Sequence, residues 1–330
     1  MRKHSEPKHT FDSGSTLQKS HEVEPALQPW RSGMRLAPAR WLSRRSFDTK
    51  WRMARMLASL HLRGDPILRE LLAINLSLCF PSWTVEQRIA LARESANEAF
   101  FAQIDQFRMW DLNESELRDQ VTLLNAELLR RQARSRPVVV ICPHFVGFEA
   151  AAQRLSLESS FVALYRAGRT SAFEAHRKRS RERFNAQYLV NAGRPLTPLV
   201  RRMKSGTPLF LLPDVDSTAS SALFSPFFGV DASTARTTAW CAARLGAVVL
   251  PMSIRRSHEA QYVATLHEPI AGMTGDVVDG TNRVNEAIEA LVRAAPGHYA
   301  WAQPRFATRP LGEPSLYSPE VLRFARERVA

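Results

Sequence analysis

Cysteine is scarce. Cys79, Cys142 and Cys241 are the three in 330 residues, with no CxxC pair and no even framework. That usage speaks against a disulfide scaffold or a zinc cluster and fits a reducing compartment. Long apolar runs are missing as well: no stretch approaches the ~20 uninterrupted apolar residues of a transmembrane helix. The opening MRKHSEPKHTFDSG carries charge without the apolar core of a signal peptide. Acidic residues are in deficit, 32 against 45 Lys and Arg, for a net charge of +13. This balance favours an anionic partner: nucleic acid, a phosphorylated substrate or an acidic membrane surface. The basic runs lack interleaved aromatics and any nucleic-acid motif, so nucleic acid is not expected. There is no internal repeat. With 45% hydrophobic residues the chain can bury a sizeable core, as one large domain or two smaller ones.

Residues 1–40 are rich in Ser, Pro, His and charge and read as a disordered basic leader. In 41–63, Trp51, Met53, Met56, Leu57 and Leu60 follow helical spacing, fringed by Arg44, Arg45, Lys50, Arg52 and Arg55. That pattern fits a basic amphipathic helix lying in a membrane interface, and equally a helix packed on the core. Helical patterns follow over 64–79, 84–109 and 114–134. Then RPVVVICPH reads as a strand buried on both faces, followed by strands at SSFVALYR, TPLFLLPD, AVVLPMSI and AQYVATLHE. Helices are expected at TSAFEAHRKRSRERFNAQ, ASTARTTAWCAARLG and DVVDGTNRVNEAIEALVRAAP. The alternation predicts an α/β fold with a central mixed, largely parallel sheet flanked by helices. The divisions expected are the leader, the interfacial helix, a main domain over 64–317 and a helical tail over 318–330. SSFVALYR should pair directly with PVVVIC, since successive strands are usually neighbours.

In ICPHFVGFEAA (141–151), Pro143 and Gly147 place His144 in the loop leaving a buried strand and Glu149 in the first helical turn. Open α/β sheets keep their sites at that strand end. A carboxylate near an imidazole fixes its tautomer and stabilises the imidazolium, making the histidine a better base toward a hydroxyl. The same spacing also fits a locally packed histidine and a glutamate placed for the helix dipole. His144 is expected at a loop mouth rather than in the core. Cys142 is a rival nucleophile, but its apolar neighbours suggest an inert thiol.

NLSLCFPSW, PHFVGFE, LYR, LPDVD, FSPFFGVDAST, GAVVLPM and RFATRPLGEPSLY appear in that order over about 65–317. Together they resemble the lipid A late acyltransferases, the lauroyl/myristoyl family. The resemblance implies a glycerolipid-acyltransferase-like fold and transfer of an acyl chain from acyl carrier protein to a hydroxyl of a lipid A precursor. It implies work at the cytoplasmic face of the inner membrane, and no cofactor or metal. Its HxxxxD/E motif falls on His144 and Glu149. Arg166 becomes the candidate for the oxyanion, with a structural ion pair as the alternative. Arg169, Asp214, Asp216 and Arg305 are candidate substrate-binding residues; the two aspartates would also suit turn caps. The run Arg177, Lys178, Arg179, Arg181 and Arg183 would draw lipid phosphates or the acidic carrier. FSPFFG would line an acyl groove or fill the core. The same chemistry on another aminolipid or glycolipid, or a catalytically silent membrane-surface protein, are the rival readings. Family members commonly begin with a longer apolar anchor, so attachment here, to an anionic membrane surface, is expected to be peripheral.

Overall fold

A computed structural model describes residues 36–165, 172–185, 188–191, 197–219, 221–257, 261–273 and 275–329. Its first part is helical: α1 (Leu36–Ser43), α2 (Phe47–Gly64), α3 (Pro66–Cys79), α4 (Val85–Met109) and α5 (Glu114–Gln120). Next come β1 (Val121–Leu124), α6 (Ala126–Ala133), β2 (Val138–Ile141), α7 (Phe148–Ser156), β3 (Val162–Tyr165), α8 (Ala172–Arg181), β4 (Tyr188–Asn191), α9 (Thr197–Lys204) and β5 (Leu209–Leu211). A hairpin of β6 (Leu223–Phe227) and β7 (Val230–Thr234) precedes α10 (Thr237–Leu245), β8 (Val248–Arg256), β9 (Tyr262–Leu266), α11 (Val277–Ala294) and α12 (Pro319–Val329).

The helix ends follow from local sequence. Asp65 accepts from the Leu68 N–H ahead of Pro66, starting α3. Thr84 and Gln87 cap α4 reciprocally. Gly246 at φ 64° ends α10 in the left-handed conformation that glycine adopts without steric cost.

Among the described residues, seven strands form one sheet in the order β1-β9-β8-β2-β5-β3-β4, in which only the β8–β9 pair is antiparallel. The sheet is therefore mixed and largely parallel, as expected. Every residue of β2 and β5 is buried, whereas Ala163 and Leu164 of β3 are only half-buried. The continuously apolar strands take the centre, and β5 lies between β2 and β3. The expected β2–β3 pairing is thus corrected. The single helix expected over 114–134 is also broken. Val121 and Thr122 enter β1 beside β9, and Asn125 turns the chain at φ 60° while its amide donates to the Leu266 carbonyl at 2.9 Å. Strand β4 was not anticipated, nor was β7, whose last residues take the start of the helix expected at ASTARTTAWCAARLG, leaving α10 as the rest. FSPFFG forms most of β6 and its turn. Phe227 and Phe228 are buried in the core, and Phe224 is exposed.

Helix α2 fully buries Lys50, Ala54 and Ala58 against α4, with Trp51, Met53 and Leu57 partly buried on the core. The Lys50 ammonium forms a buried ion pair with Asp105. Trp51 packs edge-on against Phe101 at 5.9 Å. Arg256, at the end of β8, lies 4.6 Å from the Trp51 ring and forms a two-pronged ion pair with Glu98 of α4. Since β8 runs parallel to β2, this aromatic–guanidinium stack fixes α2 at the edge of the sheet where β2 ends. Met56, Leu60 and Trp41 remain exposed among Arg52, Arg55, Arg44 and Arg45. Among the described residues, no helix is long and apolar enough to cross a membrane.

Candidate active site

Ile141 and Leu211 are register partners, so β2 and β5 end level. The Cys142 N–H donates to the Leu211 carbonyl at 2.9 Å, and the two loops leave the sheet side by side. One carries His144 and the other Asp214. The His144 loop is pinned from the other side by the strand-like segment at 298–300. Val146 N–H donates to the His298 carbonyl at 2.7 Å, Ala300 N–H donates to the His144 carbonyl at 3.0 Å, and Phe145 bridges to Tyr299. Gly147 closes the loop at φ 89°, and a Cβ there would lie 2.9 Å from the Tyr262 ring. Gly147→Ala combines left-handed strain with a clash against a fully buried tyrosine. It should lower stability by about 1–3 kcal/mol, measured by thermal melting; an unchanged melting temperature would show that the loop relaxes freely.

His144 Nδ1 lies 2.7 Å from Asp214 Oδ1, and the His144 backbone N–H donates to Asp214 Oδ2 at 2.8 Å. Asp214 is 0% exposed and His144 9%. Burial pushes the Asp214 carboxyl upward. The neighbouring imidazole, its two hydrogen bonds and the Tyr299 hydroxyl outweigh that and hold it below the usual aspartate value. An ionised carboxylate only accepts, so Nδ1 faces it as the donor and Nε2 is the ring nitrogen turned away from it. Among the described residues, Nε2 has no protein hydrogen-bond partner. The Phe148 ring leans on the imidazole at 5.8 Å.

Glu149 stands in the first turn of α7, one residue beyond Phe148. Its carboxylate is engaged by Arg181 of α8, with Arg181 Nε 3.0 Å from Oε2. The carboxylate on His144 Nδ1 is therefore Asp214 and not Glu149, which corrects the expected pairing. Asp216 and Arg305, expected to bind substrate, have internal partners. Asp216 accepts from the Thr308 N–H at 3.0 Å and the Thr308 hydroxyl at 2.7 Å. Arg305 donates to the Val215 and Ser233 carbonyls and the Thr234 hydroxyl. Arg166 and Arg169 lie outside the described residues. The basic run divides: Arg177 is buried, Arg181 holds Glu149, Arg183 donates to the Trp110 carbonyl at the end of α4, and Lys178 and Arg179 face solvent. Cys142 is fully buried, its thiol pushed far up by desolvation beside the Asp214 charge, so it is no nucleophile.

A strand-end histidine paired with a buried aspartate, on an α/β sheet, is an arrangement able to take a proton from a hydroxyl. The comparisons with known proteins name the family. The sequence model of the bacterial lipid A biosynthesis acyltransferases matches residues 33–308, and the chain belongs to that family. It is 29% identical over 246 residues to the lipid A biosynthesis palmitoleoyltransferase of Escherichia coli K12, covering 74% of this chain and 80% of that protein. It is 25% identical over 247 residues to the lauroyltransferase of the same organism, covering 74% and 80% respectively. A Haemophilus influenzae lipid A biosynthesis acyltransferase is 26% identical over 255 residues, covering 72% and 76%. The protein is an acyltransferase enzyme whose reaction is acyl transfer to a lipid A precursor.

Proposed function

We propose that this enzyme takes a fatty acyl chain from acyl carrier protein and esterifies a hydroxyl of the lipid A precursor, with His144 as general base. The observation that carries this reading is the 2.7 Å contact of His144 Nδ1 with Asp214, which leaves Nε2 as the proton acceptor. A secondary hydroxyl is a poor nucleophile until its proton leaves, whereas a thioester carbonyl is already reactive. Nε2 takes the proton as the oxygen attacks the thioester carbon. The tetrahedral intermediate collapses, the carbon–sulfur bond breaks, and the imidazolium returns the proton to the departing sulfur. No metal and no covalent acyl-enzyme is needed. Glu149, held by Arg181, adds negative charge in the turn that follows the base. Arg166 is assigned to the oxyanion and Arg169 to the substrate. The test is mass spectrometry of lipid A from cells with and without this protein. The expected difference is one acyl chain on the lipid; identical profiles would overturn the reading. Purified enzyme offered acyl carrier protein or a coenzyme A thioester should prefer the carrier.

We infer also that the enzyme works as a peripheral protein on the cytoplasmic face of the inner membrane, attached through α2. Supporting this is the exposed face of α2, where Met56 and Leu60 stand among Arg52, Arg55 and Arg63, at the sheet edge that carries His144. Each basic residue near an anionic surface is worth ~1 kcal/mol, screened by salt. Removing residues 1–63 is a poor test, because it would strip Lys50, Ala54 and Ala58 from α4. The double change Met56→Glu, Leu60→Glu leaves the buried face intact and should weaken sedimentation with anionic vesicles by about tenfold or more. Unchanged sedimentation would move the anchor elsewhere.

A further inference from the structure

Arg305 is only 3% exposed, yet its hydrogen bonds go to two carbonyls and a hydroxyl rather than to a carboxylate. Its Nε is buried without a partner. Burying an arginine charge that donates only to carbonyls and a hydroxyl is costly, and the nearby Asp214 and Asp216 carboxylates offset part of that cost. The location explains the charge. Arg305 Nη1 reaches the Val215 carbonyl at 3.2 Å, the residue between Asp214 and Asp216, and the Ser233 carbonyl on β7 at 2.7 Å. Three residues on, Thr308 grips the Asp216 carboxylate with both its N–H and its hydroxyl. The same loop is sewn to β7 by the Ser217 N–H to the Ser233 carbonyl and by the Ser233 hydroxyl to the Ser217 carbonyl. The strand order gives Asp214 a level start beside His144, and beyond β5 the loop is held by these contacts with β7 and the 305–308 segment.

We propose that Arg305, Asp216 and Thr308 form a clamp that fixes the Asp214 carboxylate against His144, making Arg305 and Asp216 positioning residues rather than substrate ligands. The inference rests on His144 being the base only for its effect on turnover; the placement of Asp214 is a separate observable. Misplacing a catalytic group by about 1 Å can cost ~10²-fold. Arg305→Lys, which keeps a charge but loses the planar fork, should lower kcat by roughly 10–100-fold with both KM values within about twofold. Thr308→Val removes one hydroxyl, keeps the backbone contact and is the variant least able to disturb folding; kcat should fall by about 3–10-fold. In the purified full chain, the downfield proton resonance on His144 Nδ1, assigned by its absence in His144→Asn, should shift or broaden in both variants.

An acceptor KM raised about tenfold or more at unchanged kcat would make Arg305 a substrate ligand and overturn the clamp. An unshifted resonance in both variants would overturn it as well. Should His144→Asn retain full activity, the base assignment falls while the resonance still reads the clamp, so the two failures are separate.

Discussion

His144→Asn should reduce acyl transfer by ~10²–10⁴-fold while the protein melts close to the wild-type temperature. An asparagine amide can still donate to the Asp214 carboxylate, so the buried acceptor keeps a partner, but no lone pair remains to take a proton. His144→Ala should lose activity equally and stability in addition. The structure corrects the expectation of a residue at an open loop mouth: His144 is 9% exposed and bonded to a carboxylate that is 0% exposed. Removing the partner of a buried carboxylate typically costs about 3–5 kcal/mol, on the order of a small domain's margin. The pair of variants therefore separates chemistry from folding. The measurement is steady-state transfer by purified protein alongside a thermal melt. Near-normal turnover in folded His144→Asn would remove the general base from the mechanism.

The sheet was legible because its central strands are short unbroken apolar runs. VVVI and LFL have no polar residue to dictate a solvent face, and both are buried throughout. Strand order was not legible. Nothing in SSFVALYR states that β5, which follows it in the chain, will lie between it and β2; that depends on which strands exclude water most completely. β1 was hidden because a four-residue strand sits between two helices with compatible periodicity, and its only local marks are two β-branched residues and Asn125. His144 was legible as a candidate because a proline and a glycine bracket it after a buried strand and the family's HxxxxD/E motif falls on it. Its hydrogen-bond partner was not legible. Glu149 is five residues away in sequence, whereas Asp214 is brought beside the ring by the β2–β5 register, which no local spacing contains. The apolar spacing of α2 left open whether its large side chains meet a membrane or the core. The fully buried face against α4 runs along Lys50, Ala54 and Ala58, because small residues and a paired lysine let the helices approach.

The corrected pairing carries its own consequence: Asp214→Asn should damage the enzyme more than Glu149→Gln. An asparagine at 214 cannot satisfy both donors that the carboxylate now accepts. If its oxygen takes the Nδ1 proton, its amide faces the His144 backbone N–H, donor against donor. If its oxygen takes the backbone N–H, the amide favours the tautomer that puts the proton on Nε2, which is the wrong one for a base. In a comparable aspartate–histidine pair that change lowers turnover on the order of 10⁴-fold. Glu149→Gln leaves Nδ1 and its partner untouched, so its loss should be smaller. The stability of the same variants has a defined pH dependence. Because Asp214 is held below its usual value in the folded protein, its ionised form stabilises the fold at all pH values above the unfolded aspartate value of ~3.9. That contribution is lost only as the pH falls through the lower folded value. The melting-temperature gap between wild type and Asp214→Asn should thus stay constant from neutral to mildly acidic pH and narrow only below ~3.9. A gap that already closes between about pH 7 and 5 would show that the Asp214 charge is not what stabilises the pair. Equal activity losses in Asp214→Asn and Glu149→Gln would return Glu149 to the role of the base's principal partner.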